Sequence, residues 1–377
     1  MNIETLAVHV GREIEAGTGA VTPSITLATT FERAADGTFP DGKYVYTRSA
    51  NPNRNGLERC IAAMEGGEIG IAFASGMAAA SAILQALDPG DHVILPDDLY
   101  HGVRHVSHEV FGRWGLQVSF VDLTDLNAVK SAIQKNTKMI WAETPSNPQL
   151  KINDLQALAE LAHSIGALCA CDNTWATPIL QQPLALGCDV SWHSTTKYFG
   201  GHSDVLGGMV VLKQDGELAQ RIRQNQSLVG GVPSPFDCWL LQRSIPTMPL
   251  RVRAQSETAM QVAQWLEDHP RVKRVYYPGL PSHPGHDIAK KQMRSFGAML
   301  SFEVDASPTT AKAAALEVTS KIKVFTRATS LGGVESLMEH RATVEGPDSK
   351  TPQGLIRTSV GLEHLDDLIA DLARALM

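Results

Sequence analysis

One lysine in this chain stands in company that suits covalent chemistry. In Ser194-Thr195-Thr196-Lys197-Tyr198-Phe199-Gly200-Gly201-His202, three hydroxyl residues precede an amine and two glycines follow it. A deprotonated lysine condenses with an aldehyde, and hydroxyl donors on a yielding backbone suit a phosphate. Together they point to pyridoxal phosphate, a cofactor that needs both. A solvated loop lysine is the plainer alternative.

Three further places supply groups that such a cofactor requires. Cys169-Ala170-Cys171-Asp172-Asn173-Thr174 is an apolar run ending on an acid. A carboxylate at the C-terminal end of a strand lies where α/β folds bind ligands, and it would keep a pyridinium nitrogen protonated. An Asx turn or helix cap is the alternative for Asp172. Ala74-Ser75-Gly76-Met77-Ala78-Ala79 reads as a strand-to-helix turn whose free N–H groups would hold a single phosphate. Its spacing fits neither G-x-G-x-x-G nor G-x-x-x-x-G-K-[ST], which argues against dinucleotides and nucleoside triphosphates. Tight packing of small residues on a sheet is the competing explanation there. Tyr100, after Pro96-Asp97-Asp98-Leu99, offers a ring for stacking on a flat group, or is simply half-buried.

These residues need a scaffold, and the apolar periodicity supplies one. From Leu57 onward helices and short strands alternate: helix 57–65, strand 69–74, helix 76–87, strand 92–95, helix 101–113 and strand 117–121. Helix 125–135, strand 138–142, helix 153–165 and strand 167–171 follow, then strands near 189–192 and 207–212. Such alternation predicts a mostly parallel sheet covered on both faces. After Met248-Pro249 the pattern changes to a long amphipathic helix (251–267), strands 272–276 and 299–303, a helix at 309–319 and a closing helix from Leu365. That reads as a smaller α+β unit. The expected organisation is an irregular arm over residues 1–47, broken by Gly17, Gly19, Pro23, Gly37, Pro40 and Gly42, an α/β domain over 48–245 and an α+β domain over 246–377.

Composition narrows the class. Of 377 residues 43% are hydrophobic and 19% charged, which is enough to bury a large core. A formal charge of -7 without blocks of like charge argues against nucleic acid and anionic membrane as partners. Five cysteines without a C-x-x-C pair suggest neither a disulfide framework nor a metal site, and fit a reducing compartment. The N-terminus lacks an apolar core for secretion, so the expected location is the cytoplasm. The charge-free run 69–87 is long enough to suggest a membrane span, but its Ala, Gly and Ser content parses as strand, turn and helix.

The four pieces, in this order, resemble the Cys/Met-metabolism family of pyridoxal-phosphate enzymes, whose members include cystathionine lyases and synthases and methionine γ-lyases. Further matching segments are Tyr46-Thr47-Arg48, Glu143-Thr144-Pro145-Ser146-Asn147-Pro148, Pro233-Ser234-Pro235, Ser330-Leu331-Gly332-Gly333 and Ile356-Arg357-Thr358-Ser359-Val360-Gly361-Leu362. The resemblance covers nearly the whole chain. It implies a fold type I enzyme, with Lys197 carrying the cofactor and moving protons on the substrate. It also implies Asp172 on the ring nitrogen, Tyr100 stacked on the ring and active in catalysis, and Ser75, Gly76, Met77, Thr174, Ser194 and Thr196 around the phosphate. Tyr46 and Arg48 would reach the cofactor of a neighbouring subunit in a dimer of dimers. Arg357, with Ser330 and Asn147, would hold the α-carboxylate of an amino-acid substrate. The implied reaction is elimination of a β- or γ-substituent to give a 2-oxo acid and ammonia. Its alternative is γ-replacement by a thiol.

Departures from the family pattern cluster where the distal part of a substrate would lie. Thr329 stands where cystathionine-handling members carry Glu, and His105 where they tend to carry Arg, with Arg104 just before it. Gly102 replaces the cysteine of methionine γ-lyases, and the loop 342–353 lacks the usual Met-Thr-His. The cofactor and α-carboxylate motifs are retained while those for the distal group are not, which points to an unusual substrate or leaving group such as another homoserine-type or cysteine-conjugate amino acid.

Overall fold

A computed structural model describes residues 1–39, 44–346 and 351–377. Pro40 and Gly42 of the expected arm, and Pro347 and Asp348 of the altered loop, lie outside the described residues.

Buried apolar runs form β1 (Ile69–Phe73), β2 (His92–Pro96), β3 (Gln117–Val121), β4 (Thr137–Glu143), β5 (Leu168–Asp172), β6 (Val190–His193) and β7 (Gly208–Leu212). They make one sheet in the order β1-β7-β6-β5-β4-β2-β3. Only β7 runs against the rest. The parallel strands therefore deliver their C-terminal residues, including Glu143, Asp172 and His193, to one edge. Across that edge Glu143 is the register partner of Asp172, and Asp172 of Trp192. Beneath it the buried Trp141 and Trp192 rings pack 5.4 Å apart.

Helices between the strands begin at identifiable caps. Ser75 accepts the Ala78 N–H at 3.1 Å to start helix Gly76–Gln85, and Asp154 accepts that of Ala157 at 3.1 Å to start Leu155–Ser164. The helix expected from residue 57 starts earlier, at Pro52, because proline suits a first helical turn and Asn51 caps it. The expected helix 101–113 is broken into an α-helical turn (His101–His105), a π-helical turn (Val106–Val110) and a 3-10 turn (Phe111–Trp114). The arm is not wholly irregular. Helix Ile3–His9 buries Ala7, and Gly11 follows at φ 76°, where a Cβ would meet the Gly56 carbonyl at 2.0 Å.

The C-terminal part adds a five-stranded sheet, β10-β11-β12-β9-β8, from β8 (Val272–Tyr276), β9 (Met299–Val304), β10 (Thr326–Arg327), β11 (Leu337–His340) and β12 (Leu355–Ser359). The last three strands are not visible in the periodicity because β11 and β12 bury Glu339, His340, Arg357, Thr358 and Ser359. Helices Glu217–Val229 and Pro235–Ser244 are likewise absent from the expected elements. The first is polar over much of its length, with Gly216 before it and Gly230 after it. Among the described residues no helix is long and apolar enough to cross a membrane.

A buried polar junction ties the second helix of the chain to the working edge of the sheet. Glu65, at the end of Pro52–Glu65, lies 2.6 Å from His193 Nε2 and accepts from Asn173 Nδ2 at 2.8 Å. Gln181 completes the group by donating to Asn173 Oδ1 at 3.1 Å. Removing Glu65 strands the buried His193 ring beside Ser194 and takes one of the two acceptors from Asn173 Nδ2 beside Asp172. Glu65→Ala should therefore lower stability by about 3 kcal/mol in chemical denaturation, and Glu65→Gln by less. A change in Glu65→Ala within about 0.5 kcal/mol, the scale of surface substitutions, would contradict this account.

Candidate active site

At the C-terminal edge of the large sheet, facing the second sheet, lies a cavity of about 400 Å³. The sequence-predicted residues Ser75, Gly76, Met77, Tyr100, Asn147, Asp172, Thr174, Ser194, Thr196, Lys197, Ser330 and Arg357 all line it. Tyr46 and Arg48 do not. The Arg48 guanidinium donates to the Ser227 carbonyl at 2.9 Å and lies 5.5 Å from the exposed Tyr46 ring.

Lys197 leaves the turn after β6 and donates from Nζ to Ser330 Oγ at 2.9 Å. Ser330 holds that position in the left-handed region, at φ 96°, a conformation costly for a residue with a side chain. Burial, and next the charge of Arg357, lower the Lys197 pKa to about 8. Asp172 ends β5, accepts the Thr174 N–H at 2.9 Å and is pushed up to about 6 by burial. Thr174 Oγ1 in turn accepts the Ser194 N–H at 2.9 Å, which links the strand ends of β5 and β6.

Opposite these groups the N-terminus of helix Gly76–Gln85 meets the Ser194 turn. A Cβ on Gly76 would come within 2.8 Å of Ser194 Cβ, so the close approach requires glycine. Thr196 Oγ1 accepts the Gly207 N–H at 3.1 Å and steadies the same turn. A helix N-terminus with a hydroxyl-rich turn, a poorly solvated amine and a buried carboxylate are the donor set that a phosphorylated pyridine aldehyde needs. The residues present therefore fit pyridoxal phosphate.

Arg357, buried on β12, donates to Asn147 Oδ1 and to the Ser330 carbonyl, each at 3.1 Å. It also pairs with Glu339 at 2.5 Å, its register partner on β11. Burial, and next Arg341, lower its pKa to about 10, so it stays charged at neutral pH.

Several lining residues escape a reading of the sequence, among them His101, Glu143, Trp192 and Arg341, whereas Val344 comes from the altered loop expected near the cavity mouth. Glu143 carries the signal that reveals Asp172, an apolar strand ending on an acid. It accepts the Tyr100 N–H at 2.9 Å, and burial followed by the Asp172 charge raises its pKa well above the carboxylate range. Of the departures expected at the distal end, Thr329 lines the cavity. His105 does not; it faces solvent on the broken helix and lies 2.7 Å from Glu109. Arg104 turns away as well, donating to the Asp97 carbonyl and lying over the Phe120 ring.

Comparison with known proteins bears on this geometry. The family model described as Cys/Met metabolism PLP-dependent enzyme matches residues 4–377. Cystathionine beta-lyase of Coxiella burnetii is 46% identical, over 100% of this chain and 98% of its own length. Cystathionine gamma-synthase of Mycobacterium tuberculosis is 47% identical, over 99% and 96% respectively. The crystal structure of metB from Corynebacterium glutamicum superposes with a TM-score of 0.96 at 41% identity, covering 100% of this chain and 98% of that one.

The lowered Lys197 pKa has a direct consequence. In the protein without cofactor, reductive trapping of a small aldehyde on Lys197 should rise through a midpoint near pH 8. An ordinary lysine titrates near pH 10.4. The Asp172 charge favours the protonated amine, so Asp172→Asn should move the midpoint lower still. Peptide mapping of the trapped adduct against pH measures both, and a midpoint near 10 would contradict the desolvation of the amine.

Proposed function

We propose that this chain, which belongs to the Cys/Met metabolism family of pyridoxal-phosphate-dependent enzymes, is a lyase acting on the side chain of a sulfur-containing or other homoserine-type amino acid. It eliminates a β- or γ-substituent and releases a 2-oxo acid and ammonia. The observation that carries this reading is the enclosure of the Lys197 amine, the Asp172 carboxylate and the Arg357 guanidinium in one cavity. Bound there, the cofactor supplies an electron-withdrawing ring that makes the substrate's Cα proton removable.

The chain's own residues do the rest. Lys197 would hold the cofactor and would move protons between the substrate's Cα and Cγ. Its pKa near 8 keeps a useful fraction of the amine free at neutral pH. Asp172 would keep a proton on the cofactor's ring nitrogen, and Tyr100 would stack on the ring and could act on the incoming amine or the leaving group. Ser75, Gly76, Met77, Thr174, Ser194 and Thr196, which line the same cavity, would surround the phosphate. Arg357 clamps the α-carboxylate, with Asn147 and Ser330 fixing the guanidinium plane.

A γ-replacement reaction, in which a thiol adds to the activated homoserine skeleton, is the second reading. The identity to a protein named cystathionine gamma-synthase favours it. The same residues serve both outcomes.

We further infer a homotetramer built as a dimer of dimers, in which the arm (residues 1–47) reaches the neighbouring subunit, and Tyr46 and Arg48 meet the phosphate of its cofactor. Support comes from the absence of both side chains from their own chain's cavity and from exposed apolar residues such as Leu27, Leu228, Val229 and Leu250. Residues 48–245 and 246–377 form the two domains in this reading, each containing one sheet. A cytoplasmic location suits the five cysteines, all buried and unpaired. The substrate is a small amino acid, with no part for nucleic acid or membrane.

Mass spectrometry of products from the cofactor-loaded protein separates the two reactions. Pyruvate or 2-oxobutyrate formed without thiol identifies the lyase, and a thioether formed only with added thiol identifies the synthase. Lys197→Ala should abolish either product, and wild-type turnover in that variant would refute the reading. Arg357→Ala should raise KM about 100-fold, the scale of losing a charge-assisted bidentate contact. Its cofactor absorbance should remain.

A further inference from the structure

One wall of the cavity consists of residues that the proposed reaction does not use: His101, Thr329, Arg341 and Val344. Arg341 is almost wholly buried, and each of its three nitrogens has a partner. Nε donates to Glu345 at 2.9 Å, Nη1 to Glu339 Oε1 at 2.9 Å, and Nη2 lies 3.3 Å from His101 Nδ1. The same Glu339 oxygen contacts Arg357. Charges thus alternate along Arg357, Glu339, Arg341 and Glu345. With a carboxylate on each side the Arg341 charge is balanced, which makes it a poor site for another anion.

What Arg341 does is fix an imidazole. A guanidinium only donates, so His101 Nδ1 must accept and the ring proton must sit on Nε2. The ring leans on Tyr100 with centroids 4.7 Å apart, which holds it in place beside the substrate cavity. Burial, and next the Arg341 charge, lower the His101 pKa, so the neutral form dominates at neutral pH. Nε2 has no hydrogen-bond partner among the described residues and is not a sealed core atom.

We propose that His101 is a specificity-determining residue whose Nε2–H donates to an acceptor atom in the distal, departing part of the substrate, with Arg341 as the positioning residue that fixes its tautomer. The proposal rests on the reading of the cavity as an amino-acid site. It also names a preference. An ether or ester oxygen is a good acceptor, a thioether sulfur a weak one, and a methylene none. The contact binds and orients without proton transfer, because a neutral imidazole does not give up its remaining proton near neutral pH.

Three amino acids of matched shape test it: O-methylhomoserine, methionine and norleucine place oxygen, sulfur and methylene at the same point. Inhibition constants for each, or Michaelis constants where one turns over, are measured on the cofactor-loaded enzyme. The wild type should bind them in that order, with oxygen favoured over methylene by about tenfold, the scale of one hydrogen bond. His101→Phe keeps a ring against Tyr100 but no donor, and should bind all three alike. His101→Gln restores an N–H of similar reach and should regain part of the preference. Arg341→Met, which frees the ring, should lose part of it. Alanine, which has no distal group, should bind wild type and His101→Phe equally, confirming that the variant's cofactor and α-carboxylate sites are intact. A wild type without preference, or a His101→Phe variant that keeps it, overturns the proposal. A wild type that binds none of the four amino acids instead refutes the underlying reading of the cavity, and the proposal with it.

Discussion

The site depends on one electrostatic constraint: two carboxyl groups and a lysine amine share a small volume with little access to water. The parallel register of β4 and β5 makes Glu143 and Asp172 neighbours, and neither can move away without breaking the sheet. Two adjacent buried carboxylates cannot both be fully ionised at ordinary cost. The structure resolves this unequally. Glu143 takes one backbone N–H from Tyr100 and is driven strongly toward its neutral form. Asp172 takes the Thr174 N–H and also sees the positive side of Lys197, so it keeps a pKa of about 6 and is ionised at neutral pH. The two strand-end acids thereby acquire different chemical characters from similar positions. An ionised carboxylate near Lys197 and a largely neutral carboxyl that accepts the Tyr100 N–H result from the same register.

A second layer faces this edge from the other sheet. There the strands carry charge where strands usually carry apolar side chains, and the reason is that their inner face lines a cavity as well as a core. Glu339 and Arg357 are opposite one another on β11 and β12, so their pairing is set by register as firmly as that of Glu143 and Asp172. A buried arginine with a single carboxylate would be fully neutralised and would have little hold on a substrate. Glu339 divides its acceptor between Arg357 and Arg341, which leaves Arg357 with donors and charge to spare.

How much of this is legible in the sequence follows from the range of the interactions. Lys197 with its hydroxyl neighbours, Ser75-Gly76 at a helix start and Asp172 at a strand end are readable because each group and its supporting geometry lie within a few residues. The sheet is readable for the same reason, since buried parallel strands are continuous apolar runs. The polar strands β11 and β12 defeat the periodicity because their purpose is in the site. His105 is expected at the distal end on its spacing from Tyr100. The helix that carries it changes from α to π winding, and the residue turns to solvent instead. His101 and Arg341 are far apart in the chain, and only the tertiary contact between them fixes the tautomer that gives either a role.

The same long-range contacts couple the two ends of the cavity. After burial, the charge of Arg357 contributes most to lowering the Lys197 pKa. A carboxylate arriving at Arg357 cancels part of that charge and so lets the basicity of Lys197 rise. With that guanidinium charge uncompensated, the amine pKa is held well below the usual lysine range, at about 8. No movement of the backbone is required for this change. It follows from placing a guanidinium on β12 within electrostatic reach of an amine after β6, in a cavity dry enough for each charge to be felt by the other.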